Sequence, residues 1–202
     1  MSGTESGPGP RGASLRRETK ETRIEAALDL AQGEVKVDTG IGFLDHLLSS
    51  LAFHGGFSLT LTCRGDLAVD DHHSAEDCGL VLGDLVRQAL GDRSGIRRFA
   101  SAFAPLDEAL ARAVVDISGR PFARVDLKLA RDSIGTLTCE NIPHVVASFA
   151  ARAGITVHLE VLYGDNDHHK AEAAFKALAL ALRDAWTPSN SGGVPSAKGV
   201  LA

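Results

Sequence analysis

The periodicity of apolar residues divides the chain into helical and extended stretches. Apolar side chains recur every three or four residues in four stretches, which predicts helices at about 39–53, 71–90, 139–152 and 167–186. Apolar and polar residues alternate in others, which predicts half-buried strands at 57–63, 108–117, 122–129 and 155–163. Strands therefore precede and alternate with two helices in each half of the chain.

The segment before the first predicted helix fits two structures. Residues 16–30 and 34–38, on either side of a turn at Gln32-Gly33, are typical of a β-hairpin. The stretch 24–30 also fits a helix. The Gly-, Ser- and Pro-rich residues 1–14 are expected to be disordered, and 187–202 to form a flexible tail.

Two of the predicted helices begin with the same motif. Asp-His-His-x-x-Glu opens 71–90 and recurs at 167–186, and a single histidine, His46 or His144, lies upstream of each copy. A duplication explains this repetition. It predicts an internally duplicated α+β fold: two pseudo-equivalent halves, 15–95 and 96–186, each with a mostly antiparallel sheet covered by two helices, within one globular unit.

The composition of the chain argues against several classes of protein. The net charge of −5 and the absence of a basic block argue against nucleic acid as a partner. No apolar run is long enough to span a bilayer, and residues 1–14 lack the apolar centre of a signal peptide, so we expect a cytoplasmic protein without a membrane partner. The three cysteines lack CxxC spacing, which indicates small buried side chains rather than disulfides or a thiolate zinc site.

The repeated motif carries residues that bind metals. The glutamate follows the two histidines by four and three positions, so on a helix all three side chains share one arc of surface. With the upstream histidine, each half offers four candidate ligands. The eight candidate metal ligands are His46, His72, His73, Glu76, His144, His168, His169 and Glu172.

The ligand types limit the ion and its arrangement. Imidazole and carboxylate without thiolate suit Mn, Fe, Zn or Ni. Adjacent histidines on a helix point about 100° apart, so His72 and His73 are expected to serve different ions. The set then predicts two ions, each with three histidines, one glutamate and positions open to substrate or water. Asp71 and Asp167 are expected either to cap their helices or to accept an imidazole N–H.

From about Arg16 to Leu201 the chain resembles the imidazoleglycerol-phosphate dehydratase family, dimanganese enzymes of histidine biosynthesis. Two His-His-x-x-Glu motifs and several companion strings, in order, carry this resemblance. The strings are TKET at Thr19–Thr22, TGIGFLDH at Thr39–His46, DDHHSAED at Asp70–Asp77, GIRRF at Gly95–Phe99, APLDEAL at Ala104–Leu110, SGRP at Ser118–Pro121, NDHHKAEAAFKA at Asn166–Ala177 and PSAKGVL at Pro195–Leu201.

The resemblance implies two Mn²⁺ ions held by the eight candidate ligands. It also implies homotrimers with metal sites between neighbouring subunits, assembled into a 24-mer. Glu21 would lie near the substrate, and Ser49-Ser50 stands where the family often has Asp-Gln, so a contact from that glutamine is lost. The tail 187–202 would then order over the substrate phosphate. The residues implied to bind this phosphate are Arg98, Arg120, Lys176, Ser196 and Lys198.

The implied reaction is a hydro-lyase reaction that removes water from imidazoleglycerol phosphate and gives imidazoleacetol phosphate through an enol. Because the hydrogen removed is not acidic, we expect a metal to bind the substrate imidazole, favour the imidazolate and drive out the hydroxyl through a diazafulvene-like intermediate. Glu172 or Glu21 would then take the carbon-bound proton as general base. The predicted catalytic residues are Glu21, Glu172, His46 and His73.

Two other functions fit the same ligands. A dinuclear metallohydrolase would use them to activate water against an ester or amide. A metal-storage or chaperone shell would hold ions without turnover. The hydrolase predicts activity on generic esters, whereas the shell predicts metal release under mild competition and no consumption of the imidazole substrate.

Overall fold

The computed structural model describes residues 11–189, 193, 195 and 196. The predicted α+β fold is confirmed, with four helices longer than ten residues in the described part of the chain. The elements in chain order are β1 Gly12–Glu18, β2 Thr22–Asp29, β3 Val35–Asp38, α1 Gly42–Gly55, β4 Ser58–Gly65, α2 His72–Leu90, β5 Phe99–Leu106, β6 Ala109–Asp116, β7 Phe122–Asp126, β8 Ser133–Ile134, β9 Leu137–Thr138, α3 Asn141–Ala153, β10 Thr156–Tyr163 and α4 Asp167–Trp186.

The two four-stranded sheets have the same topology. Their strand orders are β1-β2-β4-β3 and β5-β6-β10-β7. In each sheet three strands are antiparallel and the last, β3 or β7, runs parallel to its neighbour. β1 thus corresponds to β5, β2 to β6, β3 to β7 and β4 to β10. This equivalence agrees with the duplication that the repeated motif predicts.

The helices lie between the sheets and pair across the two halves. α2 packs mainly against α3, and α1 against α4, while each helix also covers strands of its own sheet. One continuous core of buried apolar residues joins all four helices and both sheets. Each helix that begins with the repeated motif therefore lies beside the helix that carries the single histidine of the other half.

The stretch 24–30, which fits either a strand or a helix, lies mostly in strand β2. Ile24, Ala26 and Leu28 alternate with exposed or half-buried residues and face the helices, and Ile24 is fully buried. Full burial of one such side chain stabilises the fold by roughly 1.5–3 kcal/mol. The alternation of buried residues over two positions decides the conformation, so the helical alternative is wrong.

The first hairpin turns earlier than the sequence predicts. The chain reverses between β1 and β2, where the hydroxyl of Thr19 accepts hydrogen bonds from the backbone N–H groups of Glu21 at 3.1 Å and Thr22 at 2.9 Å. β3 pairs in parallel with β4, because α1 carries the chain back between them. The predicted hairpin turn at Gln32-Gly33 is therefore wrong. β1 begins at Gly12, inside the segment 1–14 for which disorder is predicted.

The residues after α4 contact the segment between α2 and β5. Pro188 forms an isolated β-bridge with Ile96, and the backbone N–H of Ser189 donates to the carbonyl of Gly95 at 2.7 Å. Residues 190–192, 194 and 197–202, which include most of the predicted flexible tail, lie outside the described residues. No helix in the described ranges is both long and apolar enough to cross a membrane.

Close packing of α2 on α3 depends on two glycines of α2. A Cβ at Gly83 would lie 2.5 Å from the carbonyl oxygen of Phe149, and one at Gly79 would lie 2.6 Å from that of Val145. Backbone atoms cannot rotate away, so a methyl group must push the helices apart.

Replacement Gly83→Ala is therefore expected to lower the free energy of unfolding by about 1–3 kcal/mol, the usual cost of overpacking. Urea unfolding of the variant checks this. Gly42→Ala, where nothing lies within 4 Å of the added methyl, is the matched control and should unfold like the parent chain. A Gly83→Ala variant as stable as the control would contradict the role given to this glycine.

Candidate metal centre

Two clusters of imidazole and carboxylate form where paired helices begin. His72 and Glu76 of α2 meet His144 of α3, and His168 and Glu172 of α4 meet His46 of α1. In each cluster the three candidate ligand atoms lie within 4.8 Å of one another. The first histidine and the glutamate of each motif share a face because they are four residues apart, and helix pairing adds the third ligand.

The cluster on α1 and α4, which contains His46, His168 and Glu172, is centred on the glutamate. Its Oε2 lies 2.9 Å from Nε2 of His46 and 3.3 Å from Nε2 of His168. Its Oε1 lies 2.6 Å from Nζ of Lys176. Burial opposes ionisation of Glu172, but the hydrogen bonds from Lys176 and His46 outweigh it and lower the pKa to about 2. This carboxylate is therefore held as an anion.

The cluster on α2 and α3, which contains His72, Glu76 and His144, is more open. Glu76 carboxylate oxygens lie 3.9 Å from Nε2 of His72 and 3.4 Å from Nε2 of His144. The two imidazole rings stack with centroids 4.9 Å apart. Nε2 of His144 is buried and has no hydrogen-bond partner. A buried imidazole nitrogen without a partner, beside a second imidazole and a carboxylate, fits a divalent metal ligand.

The second histidine of each motif joins neither cluster. Nδ1 of His73 lies 3.1 Å from Asp66 and its Nε2 lies 3.8 Å from Glu21. Nδ1 of His169 lies 2.7 Å from Glu108. Hydrogen bonding to Asp66 or Glu108 raises the pKa of the corresponding imidazole. The adjacent histidines thus diverge as helix geometry predicts, and within one chain each cluster has two histidines and one glutamate.

The aspartates that precede the histidine pairs bind the segment between β7 and α3. Asp71 accepts hydrogen bonds from the backbone N–H and the hydroxyl of Thr138, at 2.6 and 2.8 Å. Asp167 accepts from the backbone N–H groups of Ala130 and Arg131 and pairs with Lys170. No side-chain cap bond is present at Asp71, and Asn166 caps α4. Both predicted roles of these aspartates, capping and acceptance from an imidazole, are therefore wrong.

Two of the residues implied to bind phosphate meet at one end of the second sheet. Arg98 makes two hydrogen bonds to the carboxylate of Asp116, and its Nη1 donates to the carbonyl of Pro195 at 2.8 Å. Arg120 is exposed, with Nη2 3.8 Å from the same carboxylate. Ser196 follows Pro195 in the described part of the chain, and Lys198 lies outside it.

Arg98 is far from the metal cluster on α1 and α4 of the same chain. The backbone N–H of Arg98 donates to Ala185, near the end of α4, whereas His168 lies at the start of that helix. The rise of an α-helix places these two positions roughly 25 Å apart. Lys176, the remaining residue of the implied phosphate set, instead lies one turn after Glu172 and pairs with it.

A cavity of about 370 Å³ adjoins the cluster on α1 and α4. His54 is one of its lining residues, and burial followed by the charge of Lys176 lowers the pKa of this imidazole. Ser49 and Ser50, which replace the Asp-Gln pair of the family pattern, also line the cavity. Small hydroxyl side chains therefore stand beside a candidate metal centre.

The sequence did not single out several residues that contact the histidines. Asp66, Glu108 and Asn141 each hydrogen-bond Nδ1 of a motif histidine. Asp66 lies in the predicted turn after β4, and Glu108 lies in one of the strings that carry the family resemblance. Their contacts depend on which loops and helices meet in space, which residue type and spacing alone do not indicate.

A family model described as "Imidazoleglycerol-phosphate dehydratase" matches residues 39–182, most of the chain. The chain belongs to the imidazoleglycerol-phosphate dehydratase family. The resemblance read from the motif strings is thereby confirmed. The matched range contains both His-His-x-x-Glu motifs and both single histidines.

Similar proteins support the same family along nearly the whole chain. The imidazoleglycerol-phosphate dehydratase of Candida glabrata is 54% identical over 209 residues, covering 94% of this chain and 100% of the relative. That of Saccharomyces cerevisiae is 48% identical over 214 residues, covering 94% and 97%. The solved structure of the Pyrococcus furiosus enzyme has a TM-score of 0.81 at 37% identity, covering 93% of this chain and 100% of the other.

Proposed function

We propose that the chain removes water from imidazoleglycerol phosphate to give imidazoleacetol phosphate, a step of L-histidine biosynthesis, with two Mn²⁺ ions at its active site. The observation that carries this proposal is the pair of His-Glu-His clusters in a chain of this family. Each cluster offers two imidazole nitrogens and a carboxylate and no thiolate, a donor set that accepts Mn²⁺ as well as Zn, Fe or Ni.

The residues around the clusters suit a metal that acts as Lewis acid. When bound, such an ion polarises the substrate imidazole and supplies a template for its glycerol side chain. Glu172 is held as an anion by Lys176 and His46, so it can balance the charge of a cation. In the cluster on α2 and α3, Glu76 is the carboxylate ligand and the buried Nε2 of His144 is an imidazole ligand beside it.

Glu21 is the better candidate for the general base. A carboxylate whose pKa is about 2, as that of Glu172, is a weak base, and three side chains already occupy its oxygens. Glu21 lies on the turn between β1 and β2, half exposed, 3.8 Å from Nε2 of His73. It can reach a substrate that is bound beside His73.

The outward direction of several predicted site residues supports a homo-oligomeric active site. His73 and His169 point away from the clusters of their own chain, with their Nε2 atoms near Glu21 and Asp107. Arg98 contacts the end of α4 at Ala185, roughly 20 Å along the helix from Glu172, the nearest candidate ligand on α4. We propose that neighbouring copies, arranged as trimers in a 24-mer, bring a third histidine and the phosphate-binding residues to each cluster.

Metal depletion and reconstitution test the proposed function. The chelated protein should lose turnover of imidazoleglycerol phosphate, and Mn²⁺ should restore it with two ions per chain. Hydrolysis of generic phosphate esters by the loaded protein would favour a metallohydrolase. Release of the ions to a weak chelator with no consumption of imidazoleglycerol phosphate would favour a storage shell. Either result would overturn the proposal.

A further inference from the structure

The imidazole of His72 has a hydrogen-bond partner that is itself held in place. Its Nδ1 lies 2.9 Å from Oδ1 of Asn141, the first residue of α3, which is 2% exposed. Asn141 is three residues before His144 and thus lies one helical turn from another candidate ligand of the same cluster. A buried amide therefore joins the ligand-bearing first turns of α2 and α3.

The orientation of this amide follows from its second contact. The side chain of Asn141 also hydrogen-bonds Asp71, which in addition accepts from the N–H and hydroxyl of Thr138. Both carboxylate oxygens of Asp71 accept hydrogen bonds from Thr138, so the NH₂ group of Asn141 faces Asp71 and its Oδ1 faces Nδ1 of His72.

The contact with Asn141 also decides which ring nitrogen of His72 carries the proton. Because an amide oxygen accepts hydrogen bonds, Nδ1 of His72 must carry the proton, and in the neutral ring the lone pair then lies on Nε2. Nε2 is the atom that faces Glu76. The hydrogen bonds that link Asp71, Asn141 and His72 therefore direct the lone pair on Nε2 of His72 towards the cluster.

The other cluster lacks this arrangement. The residue three positions before His46 is Phe43, which corresponds to Asn141 in the duplicated halves. Its ring packs against the imidazole of His168, with centroids 4.9 Å apart. Among the described residues no hydrogen bond to Nδ1 of His168 is found. One duplicated histidine is therefore positioned by hydrogen bonds and the other by ring packing.

We propose that Asn141, oriented by Asp71, is a positioning residue that fixes the Nδ1-protonated form of His72 and so makes the two metal clusters of the duplicated chain unequal. Outer partners of this kind orient a ligating imidazole and raise its basicity, and their loss usually weakens metal binding about 10–100-fold. This inference rests on the proposal that both clusters bind metal ions.

The inference is tested by titrating the metal-free full chain with Mn²⁺. Binding is measured as the decrease in the electron paramagnetic resonance signal of free Mn²⁺. In a Glu172→Gln background, which leaves the His72 cluster intact, adding Asn141→Leu should weaken the remaining binding about 10–100-fold. In a Glu76→Gln background, which leaves the His168 cluster intact, the same change should have no effect. Phe43→Leu is the matched control, because it removes the packing residue without altering Asn141.

The outcomes separate this inference from the proposed function. If the parent chain binds no Mn²⁺, the metal proposal fails and the inference with it. Another outcome is that the parent chain binds two ions while Asn141→Leu weakens Mn²⁺ binding equally in both backgrounds, or in neither. In that case only the inference is overturned. Should Asn141→Leu fail to fold in a thermal unfolding test, Asp71→Asn replaces it: the loss of the carboxylate frees the amide to turn over, and binding should weaken at the His72 cluster alone.

Discussion

Replacement of Glu172 by glutamine is expected to remove one of two bound ions and to lower turnover of imidazoleglycerol phosphate by at least about 10²–10³-fold. The carboxylate lies 2.9 and 3.3 Å from the Nε2 atoms of His46 and His168 and is the anionic group of that cluster. A neutral amide keeps the shape but cannot balance a divalent cation. It also leaves the positive charge of Lys176 without its partner at 2.6 Å.

Metal analysis and steady-state kinetics of the purified variant measure both effects. Glu25→Gln is a suitable control, because this glutamate pairs with Arg16 and Arg23 on the exposed face of the first sheet. It should retain two ions and full turnover. A Glu172→Gln variant with both ions and normal turnover would show that this carboxylate is not a ligand.

The local features of the candidate site could be predicted from the sequence. The four-residue spacing of His72 and Glu76 places both on one helical face, and the one-residue spacing of His72 and His73 makes them diverge. The structure has this arrangement in both copies of the motif. Helix geometry alone decides these relations, so no knowledge of the tertiary fold is needed.

The pairing between halves could not be predicted in the same way. His144 joins the motif of the first half, and His46 joins that of the second, because α2 packs on α3 and α1 on α4. Spacing along the chain does not indicate which helices meet. Gly79 and Gly83 permit the close approach of α2 to α3. Their spacing on α2 indicates a close helix contact, but the sequence does not indicate that α3 is the partner.

The roles of buried polar residues also depended on long-range contacts. Asp71 has the position of a helix cap, and sequence reasoning assigned it either that role or contact with an imidazole. Its carboxylate instead accepts hydrogen bonds from Thr138, at the end of the short strand β9 far along the chain. Three residues further on, Asn141 at the start of α3 reaches His72. Local propensity predicts a cap, whereas the tertiary structure brings other hydrogen-bond donors to this carboxylate.

Replacement of Glu21 by glutamine is expected to leave both ions bound and to lower kcat by about 10²–10⁴-fold, the usual contribution of a general base. Glu21 belongs to neither cluster of its own chain, so its loss should not affect metal content. Its backbone N–H is held by the hydroxyl of Thr19, and its carboxylate lies 3.8 Å from Nε2 of His73, so the side chain is positioned without being buried.

Exchange of the carbon-bound hydrogen of the substrate with solvent distinguishes this role from metal binding. Glu21→Gln should suppress the exchange at full metal occupancy, whereas Glu172→Gln should suppress it together with the loss of an ion. Glu18→Gln is the matched control, because Glu18 ends β1 of the same hairpin and pairs with Arg16 on the surface. Exchange that continues undiminished in Glu21→Gln would assign the proton transfer to another group.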